Sequence, residues 1–354
     1  MKKKIKRIIS LGFNYNKGEY DGSFLVKNNV DCVRLNFSHL NHGDALKIVN
    51  EFREKYPEIK ILQDIQGQKW RVDSSYKNRE KLIKKGETVI FCSKEKYLEE
   101  FIDSDDNYIP VNIEADFSIL NEAQEIMMKD GSVKFKVIDN KAKEDEFIVT
   151  ESESTVMIRC EKSINIPVES RGKINPLTEK DKRDIEWGIK NKVDIICLSF
   201  VNKKEDIKIL KEYINTLLNK DQKIPIIWAK IETISGYENF KFILEVVDGL
   251  MIARGDLIPE LGRFESSIAQ YDMLEQFKDM NSSKDLIIAT HIFDSLISLY
   301  NKNPSITNLN DIYLSAREGA TGFMLTSEVG FGKQPKKAIE VLDEYLSFLE
   351  NKLF

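Results

Sequence analysis

Polarity along the chain alternates between short apolar runs rich in β-branched residues and longer stretches with helical spacing. Runs at 5–10, 31–37, 59–65, 194–200, 224–231, 249–253, 286–290 and 322–326 read as eight strands. Most are followed by an amphipathic stretch, as at 205–218 and 336–349. Strand and helix in alternation imply parallel pairing through crossover helices. Eight such units suggest an α/β protein closed into a (β/α)8 barrel of the TIM type. From the pattern alone, an open doubly wound sheet is the alternative.

The alternation breaks once, between Arg71 and Ile174. Short β-like runs at 88–92, 133–138, 147–150 and 155–160 are separated there by turn signals, among them Lys129-Asp130-Gly131 and Asp139-Asn140. The expectation is a small β-rich, barrel-like lid of residues 72–173 inserted after the third strand, with the catalytic barrel made of 1–71 and 174–354. Thr178, with Asp181 three positions on, reads as the N-cap of the next helix. No internal repeat is evident.

Composition narrows the class. The 354 residues carry a net charge of −5, with Gly 17 and Pro 8, which argues against low-complexity and collagen-like chains. The mild acidity and the lack of a large basic block argue against nucleic acid as a partner. Apolar runs such as Ile195-Ile196-Cys197-Leu198 are far too short to cross a bilayer, so no membrane is expected. The basic start Met1-Lys2-Lys3-Lys4 leads into no signal-peptide core. Cys32, Cys92, Cys160 and Cys197 form no Cys-x-x-Cys pair. A cytoplasmic protein with reduced thiols is expected.

Several catalytic devices are missing. Gly330-Phe331-Gly332-Lys333-Gln334 fails as a phosphate loop, and no dinucleotide fingerprint, nucleophile elbow or His-Glu-x-x-His motif occurs. The strand ends carry more. Arg34, Asn36 and Ser38 share one face by period two, while Val33, Leu35 and Phe37 share the other. Polar residues aimed into a barrel suggest either the mouth of a site or a polar plug. Lys230 and Glu232, at the fifth strand end, suggest either a used pair or a structural ion pair. Asp256 follows the sixth strand behind Gly255, Thr290 ends the seventh and Asp64 the third. Two carboxylates with open positions, Glu232 and Asp256, suit Mg²⁺ or Mn²⁺.

At these residues the chain resembles pyruvate kinase. The matching motifs are Arg34-Leu35-Asn36-Phe37-Ser38-His39, Asp64-Ile65-Gln66-Gly67, Lys162-Ser163-Ile164-Asn165-Ile166-Pro167 and Leu177-Thr178-Glu179-Lys180-Asp181. They continue through Leu198-Ser199-Phe200-Val201, Ala229-Lys230-Ile231-Glu232, Ala253-Arg254-Gly255-Asp256-Leu257 and Ala289-Thr290, in family order. The resemblance implies phosphoryl transfer from phosphoenolpyruvate to ADP, giving pyruvate and ATP. It implies a divalent ion on Glu232 and Asp256, and Lys230 and Arg34 acting on the phosphoryl group. It further implies Gly255 and Asp256 amides on the substrate carboxylate, and Thr290 on the face where the enolate is protonated. Asn36, His39, Arg71 and Lys162 match phosphate and nucleotide contacts. A monovalent-cation site matches at Asn36, Ser38 and Asp64.

Departures from the family pattern carry expectations of their own. Lys69 replaces a glutamate, and by family analogy its ammonium stands in for K⁺, so potassium-independent activity is expected. Gln68, Phe13, Ile258 and His291 also depart, with Ile258 expected beside the substrate pocket. The family's C-terminal domain is not represented, so an unregulated enzyme, monomeric or homodimeric, is expected. The alternatives are a catalytically impaired paralogue that binds these ligands or a partner, and a lyase acting on pyruvate-like ligands.

Overall fold

A computed structural model describes residues 4–78, 80–129, 131–219, 222–300 and 303–353. The Met1-Lys2-Lys3 start and Asp130 of the expected turn lie outside these described residues. Eight parallel strands close a barrel: β1 (Lys6–Leu11), β2 (Cys32–Asn36), β3 (Lys60–Ile65), β4 (Ile195–Leu198), β5 (Ile226–Ile231), β6 (Gly249–Ala253), β7 (Asp285–Ala289) and β8 (Gly322–Leu325). Each strand pairs with its neighbours in sequence, and β8 closes onto β1 with Gly322 opposite Lys6. Asp64 on β3 lies opposite Cys197 on β4, so the chain leaves for the insert and returns without disturbing strand order.

Strands buried on both faces read as continuous apolar runs, which is why these eight segments stand out. Outward residues such as Val33, Leu35 and Phe37 pack under the helices. The inward set forms a second cluster that includes Ile8, Cys32, Leu62, Cys197, Trp228 and Met251. Two positions further along the first five strands the inward face turns polar: Ser10, Arg34, Asp64, Ser199 and Lys230 follow the first five of these residues. The barrel is therefore plugged by apolar side chains below and lined by polar ones at its C-terminal mouth.

The insert has its own core, built from residues between Trp70 and Ile174 that include Phe91, Ile126, Phe135 and Ile148. Its main sheet runs in the order Ile164–Asn165, Glu125–Met128, Val133–Lys141, Phe147–Ser152, Thr88–Ser93, Tyr108–Val111. Bridges Arg71↔Ser163 and Val72↔Val111 draw both edges toward the segment that leaves the barrel, so the sheet curls round its core. A two-stranded sheet pairs Val156–Arg159 with Glu80–Ile83. Asp139-Asn140 stays in the strand rather than forming the expected turn: the two pair with Val149 and Ile148, just after a register shift between Val137 and Asp139. The Thr178–Asp181 capping box does start the helix Glu179–Lys190. Among the described residues, no helix is long and apolar enough to cross a membrane.

Candidate active site

The polar mouth surrounds a cavity of about 240 Å³ lined from β2, β5, β6, β7 and β8 and from loops that include those after β3 and β4. Period two brings Lys230 to its wall above Trp228 and leaves Glu232 just beyond β5. The Lys230 ammonium meets Glu232 Oε1 at 2.9 Å, Asp64 Oδ2 at 3.4 Å and Ser199 Oγ at 3.0 Å. Asp64 lies beneath the lining, where its second oxygen accepts from Ser199 at 3.0 Å. Arg34 grips the same carboxylate through Nε at 2.7 Å and reaches Ser10 at 2.8 Å.

Charge balance favours the charged forms of Asp64 and Lys230. Burial opposes ionisation of Asp64, but Lys230 and Arg34 outweigh it and hold the carboxyl below its ordinary range. Burial likewise opposes the Lys230 charge, and Asp64 and Glu232 overcome it, raising its pKa. Glu232 is pushed up by burial and by the facing charge of Asp256, against the pull of Lys230. A buried carboxylate facing a second, partly buried one that repels it makes a site for a cation.

Backbone strain holds the second carboxylate's surroundings. Thr290 and His291, directly after β7, both adopt left-handed conformations with φ of 64° and 54°. The Arg254 guanidinium binds both their carbonyls, at 2.6 Å from Thr290 O and 2.9 Å from His291 O. The Gly255 amide donates to Thr290 Oγ1 at 2.9 Å, so this amide, expected on a substrate carboxylate, is engaged by the protein. Asp256 opens the helix Arg254–Leu261, and the Lys69 ammonium lies 3.0 and 2.8 Å from its two oxygens. Burial opposes the Asp256 charge, but Lys69 more than offsets it and holds the carboxyl below its ordinary range.

The donor set fits a divalent ion. Glu232 and Asp256 offer hard carboxylate oxygens, and the Lys69 ammonium already stands against both oxygens of Asp256. Among the described residues no group of three or more His, Cys, Asp or Glu is placed to hold a metal ion.

Of the residues singled out in the sequence, Arg34, Asn36, Ser38, His39, Lys69, Arg71, Lys230, Glu232, Gly255, Asp256 and Thr290 all line the one cavity. Lys162 is exposed outside it, yet close enough to act on the His39 charge. Lys69 is not on the Asn36–Ser38–Asp64 set: Asn36 Oδ1 accepts from the Ser38 amide at 3.1 Å, and Asp64 is taken by Arg34, Ser199 and Lys230. Ile258 turns away from this cavity into a second one of about 440 Å³, shared with Glu125, Met127 and Lys134 of the insert. Ser199 and Phe200 carry no role in the sequence reading, although Ser199 bonds both Asp64 and Lys230, and the Phe200 amide donates to Glu232 Oε2 at 2.9 Å. Counting two positions on from the inward Cys197 would have found Ser199.

A family model described as "Pyruvate kinase, barrel domain" matches residues 2–339. The pyruvate kinase of Mycoplasma pneumoniae is 30% identical over 326 residues, covering 90% of this chain and 61% of that protein. That of Thermotoga maritima is 30% identical over 329 residues, covering 92% and 66%. In fold, the chain is similar over its full length to a pyruvate kinase from Cryptosporidium parvum, with a TM-score of 0.83, 24% identity and 70% of that chain covered. The chain thus spans 61% of the Mycoplasma relative's length. With a closed barrel, a sheet-built insert after β3 and this family match, the chain belongs to the pyruvate kinase family.

Proposed function

We propose that this chain transfers the phosphoryl group of phosphoenolpyruvate to ADP, giving pyruvate and ATP, with Mg²⁺ or Mn²⁺ as cofactor. The carrying observation is the convergence of Lys230, Arg34, Glu232, Asp256 and Thr290 on one cavity at the barrel's C-terminal mouth. A divalent ion on Glu232 and Asp256 would neutralise substrate carboxylate and phosphoryl oxygens. Phosphoryl transfer leaves little covalent work to the protein, so positioning and charge carry the rate. Lys230, held charged by Asp64, and Arg34, paired with the same carboxylate, face the phosphoryl group in flight. Gly255, Asp256 and Thr290 bound the substrate's carboxylate end, and Thr290 orients the proton delivered to the enolate carbon. Asn36, His39, Arg71 and Lys162 receive the nucleotide under the insert, which acts as a lid. With a cation of its own at Lys69, the reaction needs no K⁺. The reading is that of a cytoplasmic protein of central or specialised metabolism, monomeric or homodimeric, acting on small anions.

The test is a coupled assay for pyruvate from phosphoenolpyruvate, with Mg²⁺ and a panel of nucleoside diphosphates. Nucleotide-dependent pyruvate supports the reading. Thermal stabilisation by both ligands without product would replace it with a binding protein.

A further inference from the structure

Every oxygen of the two cation-binding carboxylates has a partner within the chain. Glu232 Oε1 faces Lys230 at 2.9 Å and Oε2 accepts from the Phe200 amide at 2.9 Å. Asp256 Oδ1 and Oδ2 face Lys69 at 3.0 and 2.8 Å, and Oδ1 also accepts from Asn165 at 3.4 Å. Three carboxylates, Asp64, Glu232 and Asp256, are matched by three cations, Arg34, Lys230 and Lys69. Each of these carboxylates is therefore paired within the chain without any metal, and a divalent ion must displace an ammonium to take both oxygens of Asp256.

The two lysines are not equally displaceable. Lys230 is tied to Glu232, Asp64 and Ser199 deep in the barrel. Lys69 has Asp256 as the sole hydrogen-bonding partner of its ammonium among the described residues, and its side chain is partly open to solvent. Its backbone is pinned by the turn in which its amide donates to the Gly67 carbonyl at 2.9 Å, so only the side chain has to swing. Once released, the ammonium enters a cleft that already holds Arg34, Arg71 and Lys230. That accumulation of positive charge is unfavourable unless an anion arrives to share it.

Resting on the metal site proposed above, we infer that Lys69 is an internal counter-ion that competes with the divalent ion for Asp256. The chain takes up the ion weakly alone, and tightly only with a phosphate- or carboxylate-bearing anion that accepts the Lys69 ammonium. Because coupling is reciprocal, the ion tightens binding of the anion by the same factor.

The test is titration with Mn²⁺, followed by the electron paramagnetic resonance of the free ion, on the full chain with no substrate. Lys69→Gln is expected to bind Mn²⁺ at least ten-fold more tightly than the parent. Lys69→Arg, which keeps the charge, is expected to stay as weak as the parent, an outcome that loss of structure at this position would not produce. Phosphoenolpyruvate should tighten Mn²⁺ binding ten-fold or more in the parent, and less in Lys69→Gln. Equal Mn²⁺ affinity in the parent and Lys69→Gln, with Glu232→Gln weakening both, would overturn the inference and leave the metal site standing. No Mn²⁺ binding by either protein, with or without phosphoenolpyruvate, would overturn the inference and the site together.

Discussion

The Lys230 ammonium stands 2.9 Å from Oε1 of Glu232, the next residue but one on the same inward face of the barrel. Removing the lysine leaves the buried Glu232 without its cation and the buried Asp64 with Arg34 alone. Lys230→Met is therefore expected to lose about 3 kcal/mol or more of stability at neutral pH, read from urea unfolding. Adding Glu232→Gln should recover part of the loss. An unchanged midpoint would show that the pair is not structurally coupled.

Gly67 sits at φ 60°, and a β-carbon there would come within 2.3 Å of the Ser199 carbonyl oxygen. Ser199 is the hydroxyl between Asp64 and Lys230, so the loop cannot move without disturbing both. Gly67→Ala is expected to cost roughly 2 kcal/mol in urea unfolding, from the left-handed backbone and the clash together. A variant as stable as the parent would contradict this packing.

His39 lies at the cleft rim with its ring partly in solvent, yet its pKa is driven down to about 4, by burial first and then by Arg71, Lys69, Arg34 and Lys162. It should stay neutral from pH 5.5 upward and present a neutral imidazole to any nucleotide. Proton NMR, with the resonance assigned by His39→Gln, should show a midpoint below pH 5 that rises in Arg71→Ala. A midpoint near that of a free histidine would contradict the crowding of cations.

Arg171 joins the end of the insert to the helix that carries Asp256, through a buried pair with Glu260 at 3.0 Å. The guanidinium lies over Trp70, 4.0 Å from its ring centre. Burial pushes the Glu260 carboxyl up to about 7, against the pull of Arg171. The folded chain then holds this proton more firmly than the unfolded one. Its contribution to stability is complete below about pH 4.5 and is lost as pH rises through about 7, a difference on the order of 3 kcal/mol. Urea midpoints of the parent should fall over that window relative to those of Glu260→Gln. Parallel pH profiles would contradict the assignment.

All eight barrel strands are legible in the sequence because burial on both faces leaves unbroken apolar runs such as Ile195-Ile196-Cys197-Leu198. The inward polar layer is legible through period two, as at Trp228, Lys230 and Glu232. In the insert, Glu125–Met128 and Ile164–Asn165 escape notice, since pieces of four and two residues are too short to establish a period. The Lys69–Asp256 pair joins positions 187 apart, and Arg171–Glu260 joins positions 89 apart. No local spacing encodes such partners. Resemblance assigned Lys69 to the Asn36–Ser38–Asp64 set, whereas the structure has it on Asp256.

The central claim is that Lys230 and its neighbours transfer a phosphoryl group. Its most direct measurement is the initial rate of ADP-dependent pyruvate formation from phosphoenolpyruvate, with Mg²⁺ in potassium-free buffer, for the parent and for Lys230→Met. Turnover by the parent in Na⁺ alone is expected, with the variant slower by on the order of 10²–10³-fold. No pyruvate from the parent in either Na⁺ or K⁺, or an unchanged rate in the variant, would contradict the account.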